Sequence, residues 1–156
     1  MTTICLIIAI AVFVGYNLPI ALKYGIQRSI SATYNLFYDP WRKSLYSWFI
    51  VGIGIPLAIA FSKPIGIAAG ILLCIDFAAP SCRRDKLQEF LHTFGANAGM
   101  GLGMVALIVY YHQWLPVFAF IIFTVASIRF KMKNHTYWIE TLAFAIVVLG
   151  IIINKL

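Results

Sequence analysis

Long apolar stretches broken by short polar ones dominate this chain. Six runs stand out, over about 4–22, 45–61, 64–79, 93–111, 115–130 and 137–153. At about 1.5 Å of helical rise per residue, runs of this length sit near the lower limit for crossing roughly 30 Å of hydrocarbon. They are continuous rather than alternating, which excludes the strands of a membrane barrel. A lone segment in lipid must satisfy its own backbone, so each run is expected to be a helix. The expected fold is all-α, a polytopic six-transmembrane-helix bundle in which residues 1–156 form a single integral membrane domain. Only Ser62-Lys63-Pro64 separates the second and third runs, and only His112-Gln113-Trp114 the fourth and fifth, so both junctions predict tight helical hairpins. The shortness of the runs predicts modest tilt, or ends buried under the loops.

Composition agrees. The chain is 62% hydrophobic and 11% charged, whereas soluble domains are about half apolar and a quarter charged. A soluble fold of this length has too little interior for so much apolar surface. The formal net charge of +7 does not mark a nucleic-acid partner, because the basic residues fill the gaps between apolar runs, as membrane anchors do. Cys5, Cys74 and Cys82 share no spacing of a disulfide framework or metal site. Met1-Thr2-Thr3 lacks the basic flank of a signal peptide, so the first run is expected to be a retained span.

The basic residues also orient the runs. Lys23, Arg28, Arg42 and Lys43 follow the first run, Arg83, Arg84 and Lys86 the third, and Arg129, Lys131 and Lys133 the fifth. Only Lys63 and Lys155 fall on the other side. The positive-inside rule then puts the first, third and fifth loops in the cytoplasm and both termini of this multi-pass cell-membrane protein outside. Tyr46, Trp48, Tyr110, Tyr111, Trp114, Tyr137 and Trp138 sit near predicted span ends and read as interfacial anchors. The first loop is unusually long beside the two hairpins. Its hydroxyls and aromatics predict a segment lying in the interface, helical over about 29–38, as a headgroup anchor or a lid.

The acids carry the chemistry. In this topology none lies outside: Asp39, Asp85 and Glu89 fall in cytoplasmic loops, while Asp76 and Glu140 lie just inside their spans. Asp76, His92, Asn97, Glu140 and Asn17 share roughly one depth in the inner half of the membrane. Ionisable residues there cost about 2.5–3.5 kcal/mol at mid-bilayer, and such residues face a bundle interior or a cavity. Gly95, Gly99 and Gly103 form a four-residue stripe continuing from His92, which predicts close helix approach at the fourth span. Gly66 and Gly70 predict the same at the third. His-Glu-x-x-His and Gly-x-Ser-x-Gly are both missing, so no catalytic residue is assigned. With no diagnostic ligand spacing, no metal and no cofactor is expected, although Asp76, His92, His135 and Glu140 have the right donor types on one side.

Ser29-Ile30-Ser31 after the first run and His92-Thr93-Phe94-Gly95-Ala96 opening the fourth resemble the DRAM-like multi-pass membrane family and its bacterial relatives. The resemblance covers these two stretches. It implies a lipid-facing six-helix protein and no assigned catalysis. The charges place the first loop inside, whereas the family's better-known members face it away from the cytosol. A more distant similarity to membrane hydrolases of the alkaline ceramidase type lacks its His-x-x-x-His pair.

The leading functional reading is a cytoplasm-facing polar cavity that binds or handles a lipid or amphipathic small molecule. Its expected ligand-contacting residues are Asp76, His92, Asn97, Glu140, Asn17, Ser31 and Tyr34. Membrane lipids are the expected partners, nucleic acid is not, and self-association is left open. A small ion- or proton-coupled channel or transporter is one alternative, and a membrane-embedded metal-dependent hydrolase is the other.

Overall fold

The computed structural model describes residues 1–37, 40–75 and 86–154. These form six α-helices and one 3-10 helix, with no strand among the described residues. The α-helices are α1 (Thr2–Tyr24), α2 (Pro40–Phe61), α3 (Pro64–Ile75), α4 (Lys86–Tyr111), α5 (Trp114–Arg129) and α6 (His135–Ile153). They follow the six apolar runs in order, and the last four residues of the expected third span, 76–79, lie outside the described residues. The first loop carries the 3-10 helix at Ser31–Leu36, within the stretch expected to be helical.

Four helical stretches, Thr2–Tyr24, Ser44–Phe61, Phe90–Tyr111 and His135–Ile153, are long and apolar enough to cross a membrane. Pro64–Ile75 and Trp114–Arg129 are shorter apolar helices, of 12 and 16 residues. Large apolar side chains cover the outside. Leu22, Leu115 and Ile122 are 79%, 81% and 68% exposed, a surface that water would penalise and lipid accepts.

The turns explain why the runs become hairpins. Ser62 (φ 50°) and His112 (φ 53°) adopt left-handed backbone that ends α2 and α4 abruptly. Pro64 begins α3, where its missing N–H is no loss and its fixed φ suits the first turn. Gly25, at φ 74°, terminates α1 in a conformation side chains disfavour, and its N–H closes onto Ala21 O at 3.0 Å. At the turn end, Tyr111 donates its hydroxyl to the Phe61 carbonyl at 3.3 Å and ties α4 to α2.

Side-chain contacts fix how the helices run. Tyr16 lies edge-on to Tyr46 and stacks on Phe49, which Phe13 also meets, so α1 and α2 are antiparallel. A Cβ on Gly70 would stand 2.6 Å from Gly54 O, and one on Gly54 would stand 2.9 Å from Gly70 O. The α2 and α3 backbones therefore touch, which only glycine permits. Gly99 abuts Leu73 and Ala69 O of α3, while Gly103 and Leu107 of α4 meet Val147 and Gly150 of α6. The latter pairing makes α4 and α6 parallel. Helix α6 packs firmly on α4 and α5 but only lightly on α1 and α2. That light contact leaves space inside the bundle.

The aromatic anchors divide. Trp48, Trp114 and Trp138 are exposed, as interfacial rings are. Tyr46 and Tyr137 are buried, 2% and 8% exposed, and so are packing residues rather than surface anchors.

Candidate functional site

A narrow cavity of about 110 Å³ occupies the space between α6 and α2–α4. Helix α2 lines it with one continuous stripe, Tyr46, Phe49, Ile50, Ile53, Leu57 and Phe61, at helical spacing. The opposing faces hold small residues: Ala69 and Gly70 of α3, Ala96, Gly99 and Gly103 of α4, and Ala143 of α6. Gly70 and Gly99 are in close helix contact, and the void lies beside Ala96 and Ala143, whose side chains are too short to fill it.

Its polar lining is confined to one end. Ser31, Tyr46, His92 and Glu140 all line it, and all belong to the end where the first loop lies. Tyr46 meets Tyr34 of the 3-10 helix in the first loop. Glu140 and His92 each lie within two turns of the starts of the parallel helices α6 and α4. Beyond them the walls are apolar as far as Leu57, Phe61 and Val147. Phe13 and Phe144 stack face to face, centroids 4.1 Å apart with planes 4° off parallel, and join α1 to α6 beside the cavity.

The first loop closes over this end by pairing along α6. Asn134 donates its side-chain amide to Ile26 O at 2.8 Å. The Tyr137 N–H donates to Arg28 O at 3.1 Å. Ile30 N–H donates to the Glu140 carboxylate at 2.5 Å. Alternate residues of the loop thus meet every third residue of a helix start. Two of the contacts serve backbone groups that otherwise have no helical partner, since the first N–H groups of any helix are unpaired. After Ile30 the chain tightens: Ala32 N–H donates to Ser29 Oγ at 3.0 Å, and the Ser29 and Ser31 hydroxyls are 3.0 Å apart. Thr33, fully buried, donates to Ile30 O at 2.5 Å and shares a hydrogen bond with the Tyr16 hydroxyl at 2.8 Å.

Of the residues singled out in the sequence, Ser31, His92 and Glu140 meet at the cavity. Tyr34 stands beside it, edge-on to Tyr46. Asn17 is buried one turn beyond Phe13 and donates to Phe13 O at 3.0 Å; its Oδ1 has no hydrogen-bond partner among the described residues. It does not line the cavity. Asn97 does not join the group either, since it is exposed on α4. Five residues beyond His92, it lies about 140° round the helix. Asp76 is outside the described residues. Among those described, no three His, Cys, Asp or Glu gather as metal ligands would.

Sequence reasoning missed Tyr46, Phe13 and Phe144. The 46–49–53–57 spacing signalled a buried stripe on α2, but the nearness of Tyr46 to a span end suggested an anchor instead. Compared with protein-family models, curated proteins and solved structures, the chain matches none of them.

Proposed function

We propose that all six helices span a membrane, with the first-loop end in the cytoplasm, and that the cavity binds a single-chain amphiphile. The observation that carries the ligand reading is the one-sided polarity of the cavity. Ser31, Tyr46, His92 and Glu140 offer a headgroup hydroxyl, imidazole and carboxylate partners at one end, and the rest of the wall is hydrocarbon. An apolar chain entering that wall leaves water or lipid without leaving any polar group unpaired. An ion would find no oxygen ligands at Leu57, Phe61 or Val147, so the cavity favours binding over conduction. The span reading draws on ten of the twelve Lys/Arg falling in the first, third and fifth connections of the sequence, and on the apolar exposed faces of α3 and α5. The resemblance of Ser29-Ile30-Ser31 and His92–Ala96 to DRAM-like proteins points the same way.

The test is binding of a fluorescent single-chain amphiphile to the purified protein in mild detergent. Ala143→Leu and Gly103→Leu each place a side chain in the cavity and should weaken binding at least tenfold. Ala119→Leu, on the exposed face of α5, should leave it unchanged. Unaltered affinity in both cavity variants sinks the proposal.

A further inference from the structure

The α1–α2 pair carries a second concavity, on its outer side. It is an open groove of about 880 Å³. Helix α1 contributes the face that runs from Val12 through Gly15 and Pro19 to Lys23, and α2 contributes Leu45 and Trp48. The stacked rings of Tyr16 and Phe49, 4.2 Å apart, wall it off from the inner cavity.

Three features shape it for one class of molecule. The floor is open at Gly15, where an added Cβ would meet nothing within 4 Å. Four residues on, Pro19 lies inside the helix and adds its apolar ring to the lining. From Val12 to Lys23 the track is about 16 Å long at helical rise, enough to hold much of an acyl chain. At its loop end stands the Lys23 ammonium, 5.2 Å above the Tyr24 ring, while Trp48, 65% exposed, walls the groove lower down, on the stretch of α2 that meets Tyr16. A cation over an amphipathic ring at the head of an apolar track matches the order of groups found in a phospholipid at a bilayer interface.

We infer that this groove is a binding site for one anionic phospholipid of the leaflet on the first-loop side, its phosphate at Lys23 and an acyl chain along Gly15 and Pro19. The inference rests on the membrane placement proposed above but not on the inner cavity. Its occupant is charged oppositely to Lys23, whereas a second copy of this basic chain would bring like charge.

The experiment is native mass spectrometry of the protein released from nanodiscs of equal phosphatidylglycerol and phosphatidylcholine. One phosphatidylglycerol should be retained in preference to phosphatidylcholine. Lys23→Gln should lower that preference about fivefold, the effect of one basic residue near an anionic surface. Lys63→Gln, at the opposite end of the bundle, should not. Gly15→Leu should cut retention of both lipids, because it fills the track and spares the cation. Equal retention of the two lipids by the unaltered protein, or equal loss with Lys23→Gln and Lys63→Gln, overturns the site alone. A dimer sealed by a Trp48→Cys disulfide across this face also overturns it, in favour of a second copy. Failure to enter nanodiscs overturns the membrane placement with it.

Discussion

The Glu140 carboxylate accepts the backbone N–H of Ile30 at 2.5 Å, joining residues 110 positions apart. This contact ends the row of bonds that lays the first loop along the start of α6. It also sets Ser31, the next residue, at the cavity mouth. Replacing Glu140 with Ala would leave a part-buried N–H unpaired, at a cost of about 1–3 kcal/mol. Glu140→Gln keeps an acceptor oxygen and should cost less. Thermal unfolding in detergent should rank the two in that order, and exchange of the Ile30 amide should quicken most in Glu140→Ala.

The Tyr16 hydroxyl ties α1 to the 3-10 helix through Thr33. Tyr16→Phe removes that bond and keeps the ring stacked on Phe49. Thr33 retains Ile30 O, so the loss should be modest, about 0.5–1.5 kcal/mol. A larger loss, with the loop opened to protease, would mean that the Tyr16 hydroxyl alone holds the first loop down.

Two glycines of α4, two residues apart, should respond in opposite ways. A Cβ on Gly99 would lie 2.8 Å from Leu73 Cγ and 3.1 Å from Ala69 O, so Gly99→Leu forces α3 and α4 apart. Overpacking of this kind costs about 1–3 kcal/mol. Gly101 has nothing within 4 Å, and Gly101→Ala should be neutral or stabilising by up to about 1 kcal/mol from helix propensity. Melting temperatures of the two variants, measured side by side, check the contrast.

Orientation is open to direct labelling. Lys63 and Lys131 are both exposed, at opposite ends of the bundle. In intact cells a membrane-impermeant thiol reagent should modify Lys63→Cys and spare Lys131→Cys until the cells are lysed. The reverse pattern would invert the placement of every polar residue at the cavity mouth.

Much of this architecture was legible in the residues. Lipid-length apolar runs, and turns as terse as Ser62-Lys63-Pro64, leave the backbone few options besides helical hairpins. The described helix ends accordingly fall within two residues of those expected, except that α2 begins five residues early and α4 seven. Ser31, His92 and Glu140 come from distant segments yet line one cavity, because alternating helices return their starts to the same end of the bundle.

Rotation about each helix axis was not legible, since it depends on which neighbour a face meets. Asn97 shares its helix with His92, but the packing of α4 on α3 and α6 turns it outward. Tyr46 has the composition and position of an interfacial anchor, yet Tyr16, Tyr34 and Phe49 enclose it and make it cavity wall. The cavity itself belongs wholly to the tertiary structure. The glycines and alanines that announce close approach in the sequence do permit it at Gly54 and Gly70. At Ala96 and Ala143 similarly small side chains leave a void instead, because α6 packs on α4 and α5 and barely reaches α1 and α2. A small side chain sets how near two helices can come; the balance of all the other contacts sets whether they do.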